Sequence, residues 1–300
     1  MSPVRSSFQL LSQSFAILKK DKELIWFSLF SLFLNILALV VCFLGPFYLF
    51  IVNLKAGGVE NQASFQPYMY GFIPLFLIST LLFYILSSFI TTFFKAGLMT
   101  CVNIRLDGGN PTFRDGFSKA QKHIGEIFIW SLLSGTVVFI FRTIFKNERV
   151  IFKIFGSVSL VSWSLINFFI IPVMIFNDLT IKESIKKSGE LFNKTWGKSL
   201  TGQFSMRLIF VILWFAAFPF VFIGGIIGSN TTNMLTDSLI FSLIIFYFVG
   251  VAVFFHNLQS IYVTALYNYA TTGKSSIHYD PMFIRKAYYS NLRDENIQLD

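Results

Sequence analysis

The sequence predicts an all-α fold: a polytopic membrane helix bundle with six transmembrane helices. Three observations carry this. Six long runs contain no Asp, Glu, Lys or Arg: Ile25–Leu54, Asn61–Phe94, Ile127–Phe141, Ile154–Asn177, Leu208–Thr236 and Ser238–Gly273. All but the third exceed the roughly 20 apolar residues needed to cross a hydrocarbon layer about 30 Å thick. The chain is 54% hydrophobic and only 13% charged, with a mean hydropathy of +0.65, whereas a soluble domain is about 25% charged. Finally, short basic amphipathic segments introduce the apolar runs in a loose threefold order.

Trimmed to membrane length, the runs give spans at about 25–46, 70–94, 124–145, 154–176, 208–228 and 239–260. The first run is too long for the apolar region of a cleavable signal, and no A-x-A-like site follows it, so the first span is expected to be retained. The third has a charge-free core of about 22 Å at 1.5 Å per residue. It spans if Glu126 and Arg142 lie at the two interfaces, where a long side chain snorkels. Pro46, Pro74, Pro172 and Pro219 fall in or near spans, as ordinary kinks or as broken helices at a transport site. Gly224 and Gly228 form a GxxxG that permits close helix approach. The 39 phenylalanines are spread over every span, which reads as lipid-facing filler and not as a ligand cage. Cys42 and Cys101 form neither a disulfide framework nor a CxxC metal spacing.

Charge sets the expected orientation. The net charge is +9. The N-terminus, the 95–123 and 177–207 loops and the C-terminus together hold 19 of the Lys and Arg residues, and the opposite side holds 5. The positive-inside rule therefore places both termini in the cytoplasm of a cell or plasma membrane protein. Residues 1–275 form a single transmembrane domain in this reading, and 276–300 a polar cytoplasmic tail.

Three cytoplasmic amphipathic helices are expected. Pro111-Thr112-Phe113-Arg114-Asp115-Gly116-Phe117 and Leu179-Thr180-Ile181-Lys182-Glu183-Ser184-Ile185 each place an acid three residues after a threonine, a capping-box helix start. Asp115 is the poorer match to the preferred Glu. Phe113, Phe117, Ala120 and Ile124, like Ile181, Ile185, Ser188 and Phe192, keep one helical face. Phe8, Leu11, Phe15 and Leu18 make a looser copy without the acid. Lys19, Lys20 and Lys22, Lys119 and Lys122, and Lys182, Lys186, Lys187 and Lys194 occupy the other faces, suited to anionic lipid headgroups. The alternative is that these helices pack on one another as an ordinary layer. Asn103 and Gly108 at one exit match Asn268 and Gly273 at another, which completes a unit of amphipathic helix, span out and span back. Such parallel repeats occur in transporters and arise by simple duplication.

Lys20-Asp21-Lys22-Glu23-Leu24, Gly108-Gly109-Asn110-Pro111-Thr112-Phe113-Arg114-Asp115-Gly116, Leu191-Phe192-Asn193-Lys194-Thr195-Trp196-Gly197 and Ala265-Leu266-Tyr267-Asn268-Tyr269-Ala270 occur in that order. The set resembles an uncharacterised prokaryotic family of six-span membrane proteins, domain of unknown function 6159, over about residues 8–275. The resemblance implies a single helical membrane domain and transfers no catalytic residue. A looser likeness to the membrane domain of some glycerophosphodiester phosphodiesterases hints at lipid or envelope biology.

No HExxH, HxxxxD, paired-aspartate, Ser/His/Asp or Walker-type pattern is present. Neither a catalytic residue nor a cofactor or metal is therefore expected. His123 starts the third span and His278 lies in the tail. Asn167, His256, Asn257 and Gln259, with Asn35, are polar residues within spans, as helix glue or as a polar pathway. The leading expectation is a non-enzymatic membrane component with membrane lipids as partners, other membrane proteins or a second copy being further possibilities, and nucleic acid excluded. A small-molecule or lipid transporter would need a cavity lined by Asn167, His256 or Asn257. A membrane-embedded enzyme of lipid metabolism would need His and acidic groups to converge at one interface.

Overall fold

The computed structural model describes residues 3–56, 62–140, 166–196, 211, 214–216, 218–219, 221–222 and 234–273 of the chain. Every regular element among the described residues is helical. In order these are α1 (Pro3–Lys20), α2 (Leu24–Ala56), α3 (Gln62–Leu106), α4 (Phe113–Lys122), α5 (Ile124–Phe139), α6 (Ile166–Asn177), α7 (Ile181–Trp196) and α8 (Met234–Thr272).

Three helices are long and apolar enough to cross a membrane: Leu24–Asn53 of α2, Phe72–Leu106 of α3 and Asp237–Thr272 of α8. Helices α2, α3 and α8 contain the expected spans 25–46, 70–94 and 239–260. Helices α5 and α6 are shorter apolar helices. Residues 141–145 of the expected span 124–145, and much of the spans 154–176 and 208–228, lie outside the described residues, as do Gly224, Gly228, Arg142, His278 and the 276–300 tail.

Two boundaries differ from the sequence reading. Helix α3 continues past Phe94 to Leu106, and α8 continues past residue 260 to Thr272. No proline interrupts either extension, and burial of Leu98, Met99, Val102 and Leu106, or of Ile261, Val263 and Leu266, holds each in helical form. The start of the supposed 95–123 loop is thus the end of α3. Helix α2 passes through Pro46, α3 through Pro74 and α6 through Pro172 without interruption.

Glycine stops α3. Gly108 has φ +89°, its N–H donates to Arg105 O at 3.0 Å, and the Gly109 N–H donates to Ile104 O at 2.9 Å. This is the Schellman arrangement, which satisfies carbonyls that the helix end would leave unpaired. A side chain at Gly109 would meet Ile104 Cγ2 at 2.8 Å.

The chain divides into two compact units. One comprises Met1–Ser28, Leu98–Asp115 and Gly189–Asp300. Its core joins Ile17, Leu18, Leu24 and Phe27 to Leu98–Leu106 and to Leu258–Ala270 of α8. Phe15 meets Phe254 edge-on at 5.7 Å, and Phe27 stacks on Phe113 at 4.3 Å.

The other unit comprises Leu29–Gly97 and Gly116–Ser188. Helix α6 is buried almost throughout 168–175, as befits a helix that is apolar on every side. Helix α5 crosses α3 closely: a Cβ at Gly135 would lie 2.7 Å from Ile85 Cα, and Ser88 Oγ is 2.6 Å from Ser134 Oγ. The close crossing in the described residues therefore uses Ser131, Ser134 and Gly135. By contrast, α2 presents Phe33, Val41 and Leu44 outward, and α8 presents Leu239, Leu243 and Phe246.

Candidate functional site

The capped basic helices are built as local chemistry requires. The Thr112 N–H and Oγ1–H both donate to Asp115 Oδ2, at 2.9 and 2.7 Å, and the Asp115 N–H returns a bond to Thr112 Oγ1. Thr180 and Glu183 repeat the pattern at 3.1 and 2.7 Å. Asp115 is therefore not the poorer cap: its shorter side chain reaches the same two donors. Hydrogen bonds from the threonines hold both carboxyls below the usual carboxylate range.

The apolar faces are only partly buried within the fold. Gly116, Ala120 and His123 are buried, whereas Phe117 and Ile124 are exposed. In α7 the buried residues are Ser184 and Ser188, and in α1 they are Ser14, Ile17 and Leu18, with Phe15 exposed. Small residues let the helix backbone approach its neighbours closely, and the larger apolar side chains then lie at the shoulders. Of the apolar-face residues Leu18, Ala120 and Ser188 are buried, and Ser14, Gly116 and Ser184, which lie outside those faces, are buried too.

Of the lysines assigned to lipid contact, Lys19, Lys20, Lys22, Lys122, Lys182 and Lys186 are exposed. Lys119 and Lys187 are half-buried and engaged within the fold. Lys187 Nζ donates to Asn177 Oδ1 at 2.6 Å, and Lys119 Nζ donates to Asp178 Oδ1 at 3.2 Å. Lys194 lies in α7, and its side chain is outside the described ones.

Asp178 went unnoticed in the sequence. It follows α6 directly, with φ +49° and an exposed carboxylate. Lys119 Nζ and His123 Nε2 converge on the same oxygen, the second at 3.0 Å. His123 is 7% exposed, and its Nε2 makes no hydrogen bond despite that proximity. The Lys119 hydrogen bond and charge, helped by His123 and Lys122, hold the Asp178 carboxyl below its usual range. A non-glycine residue with positive φ following an apolar run is the signal that could have been sought, but φ is not written in sequence.

A second polar junction uses the Lys20–Leu24 and Gly108–Gly116 motifs. Arg105 at the end of α3 donates through Nε and a terminal nitrogen to both oxygens of Asp21, and also to Asn110 Oδ1 at 2.7 Å. Asp21 and Arg105 are both buried. Glu23 accepts the Phe113 N–H at 3.2 Å. Two separated motifs thus form one clasp.

The proposed polar pathway residues fall in both compact units. Asn257 is fully buried, and its Nδ2 donates to Val253 O, while Oδ1 has no hydrogen-bond partner. His256 and Gln259 are half-buried on α8, and Asn167 is half-buried on α6, in the other compact unit. Asn35 Nδ2 donates to Ser31 O on its own helix at 2.8 Å. Neither Cys42 nor Cys101 is in a disulfide, and Cys101 Sγ donates to Thr112 O at 3.3 Å. Among the described residues, no group of three or more His, Cys, Asp or Glu residues is placed to hold a metal ion.

The chain is all-helical among the described residues, and three of its helices, with outward-facing phenylalanine, leucine and valine, have the length and apolar composition of membrane-crossing helices, which suggests a helical membrane protein. A family model described as a family of unknown function, DUF6159, matches residues 74–277, and the chain belongs to that family. The match begins within α3, so it takes in the Gly108–Gly116, Leu191–Gly197 and Ala265–Ala270 motifs but not Lys20–Leu24. No curated protein and no solved structure matches the chain.

Proposed function

We propose that this protein is a non-enzymatic, six-span component of the plasma membrane that engages anionic lipid headgroups through a cytoplasmic layer of basic helices. The carrying observation is the exposure of Lys19, Lys20, Lys22, Lys122, Lys182 and Lys186 on or beside helices that adjoin long apolar ones. Lysines at the end of an apolar helix contribute roughly 1 kcal/mol each near an anionic surface. The 19-to-5 distribution of Lys and Arg supports cytoplasmic termini. Matching caps at Thr112 and Thr180, and small buried residues at Ser14, Gly116 and Ser184, support the threefold unit. Replacing Lys182, Lys186, Lys187 and Lys194 by Gln in the full chain should reduce the phosphatidylglycerol retained on purification, read by native mass spectrometry. Unchanged retention overturns the lipid reading.

A transport reading draws on one observation. Asn257 is fully buried with an unpartnered Oδ1, and Ser260 and Thr264 continue the same face of α8. Buried polar side chains within a span often mark a pathway. Solute counterflow in proteoliposomes, lost in Asn257→Leu, would favour this reading over the first.

A further inference from the structure

The notch that holds the Asp178 carboxylate has the parts of an oxyanion site for a lipid. Lys119 and His123, one helical turn apart across the α4–α5 junction, bring two nitrogens to 3.2 and 3.0 Å of a single oxygen. The His123 side chain is nine-tenths buried, and its Nε2 has no hydrogen bond of its own. Lys122 is exposed beside it, and Lys187 is held close to the same turn through Asn177. His123 also stands at the N-cap of α5 without capping the helix with its side chain, so the positive end of that helix dipole adjoins the notch. Glu126, in the first turn of α5, is the opposing acid of that helix.

The oxygen now in the notch belongs to a residue at a backbone cost. Asp178 has φ +49°, where the ends of α3 and α8 carry Gly108 and Gly273 at +89° and +70°. A glycine would meet that conformation without strain. The chain keeps a carboxylate there instead, and most of that carboxylate faces solvent. Immediately after His123, the exposed side chains of α5 are apolar: Ile124, Phe128, Ile129, Leu132 and Leu133. A cationic notch that continues into an exposed apolar helix face matches an amphiphile, with its phosphate in the notch and its acyl chains along α5. Free phosphate would use only the first half.

We infer that Lys119, Lys122 and His123 form a binding site for the phosphate of an anionic membrane lipid, and that Asp178 is its built-in, displaceable occupant. The inference rests on the lipid reading of the basic layer and adds to it one site and one competitor. Asp178 is suited to leave: it sits in the short link between α6 and α7, exposed and held in the notch by its carboxylate.

The test uses the full chain in detergent with dioctanoyl phosphatidic acid as probe, bound lipid being read by native mass spectrometry. Asp178→Gly removes the competitor and relieves the backbone, so the variant should fold and bind the probe roughly fivefold more tightly, the scale of one exposed ion pair. Adding Lys119→Gln and His123→Gln to Asp178→Gly should abolish that gain. Unchanged or weaker binding in Asp178→Gly, with an unaltered unfolding temperature, overturns the inference. So does a gain that millimolar inorganic phosphate removes completely, because the site would then take the free anion. Lys182→Gln with Lys186→Gln separates the two levels. If those substitutions weaken lipid retention while Asp178→Gly changes nothing, the layer stands and the site falls; if neither matters, both fall.

Discussion

The side-chain amide of Asn268 donates to Asn103 Oδ1 at 2.7 Å, tying the end of α8 to the end of α3. Each asparagine lies five residues before a glycine with positive φ. The two exits stop differently, however. The Gly108 N–H bonds three residues back to Arg105 O, whereas the Gly273 N–H bonds four residues back to Tyr269 O at 2.9 Å. Asn103 also donates to Asp107 at 3.3 Å, which orients its oxygen for Asn268. A double-mutant cycle of Asn103→Ala and Asn268→Ala should give a coupling of about 0.5–1.5 kcal/mol. Reversible unfolding in detergent would measure it, and a coupling near zero would remove the tie from the account.

The Asp21–Arg105 clasp should be far more costly to cut. Breaking a buried ion pair from one side leaves the other charge without compensation, a loss of about 3–5 kcal/mol. Asp21→Ala or Arg105→Ala should therefore unfold the unit well before the parent chain does. Asp21→Leu combined with Arg105→Met should recover much of the loss, since neither charge then remains buried. Equal instability of the single and double variants would argue that packing, and not charge, holds this junction.

The capping boxes should give a defined response to acid. Thr112→Ala and Thr180→Ala should each cost about 1 kcal/mol of helix stability. Their acids, Asp115 and Glu183, have folded pKa values depressed by threonine hydrogen bonds. A depressed acid contributes stability that is complete above its unfolded pKa, about 4, and that is lost as pH falls through the lower folded value. Amide exchange at the starts of α4 and α7 should accelerate in that acidic window. In Asp115→Asn and Glu183→Gln the pH dependence should flatten, whereas an unchanged profile would locate the acid sensitivity elsewhere.

Gly135 should tolerate no side chain. A Cβ there falls 2.7 Å from Ile85 Cα and 2.9 Å from Tyr84 O, both backbone atoms that cannot swing aside. Gly135→Ala should destabilise by about 1–3 kcal/mol, the range for overpacking. Gly45, where an added Cβ would find no atom within 4 Å, is the control. Gly45→Ala should be neutral or stabilising, since alanine is the better helix former, and similar losses at both sites would mean that crossing distance is not what is being read.

Gly108→Ala should cost roughly 1 kcal/mol, because φ +89° is open to glycine and strained for alanine. The loss should show as fraying at residues 103–107 in amide exchange, not as a global change. Uniform destabilisation would contradict a local cap.

Membrane character, helical class and the two capping boxes were legible because each is a local property: hydropathy is a sum over a window, and a cap is a pattern four residues long. Family membership was legible through ordered motifs, although the match starts at residue 74 and leaves the Lys20–Leu24 motif outside it. What tertiary structure decided is everything that depends on which residues approach. Hydrophobic periodicity marked Phe117, Ala120, Ile124 and Phe15 as apolar-face residues; of these only Ala120 is buried within the fold, and Gly116 and Ser14, outside that face, are buried as well, where small side chains admit close packing. The same physics put the tight crossing at Ser134 and Gly135. Asp21 with Arg105, and Asp178 with Lys119 and His123, are separated by 84, 59 and 55 residues in the chain. No local pattern ranks such pairs, because opposite charges attract through space and only the fold sets their distance.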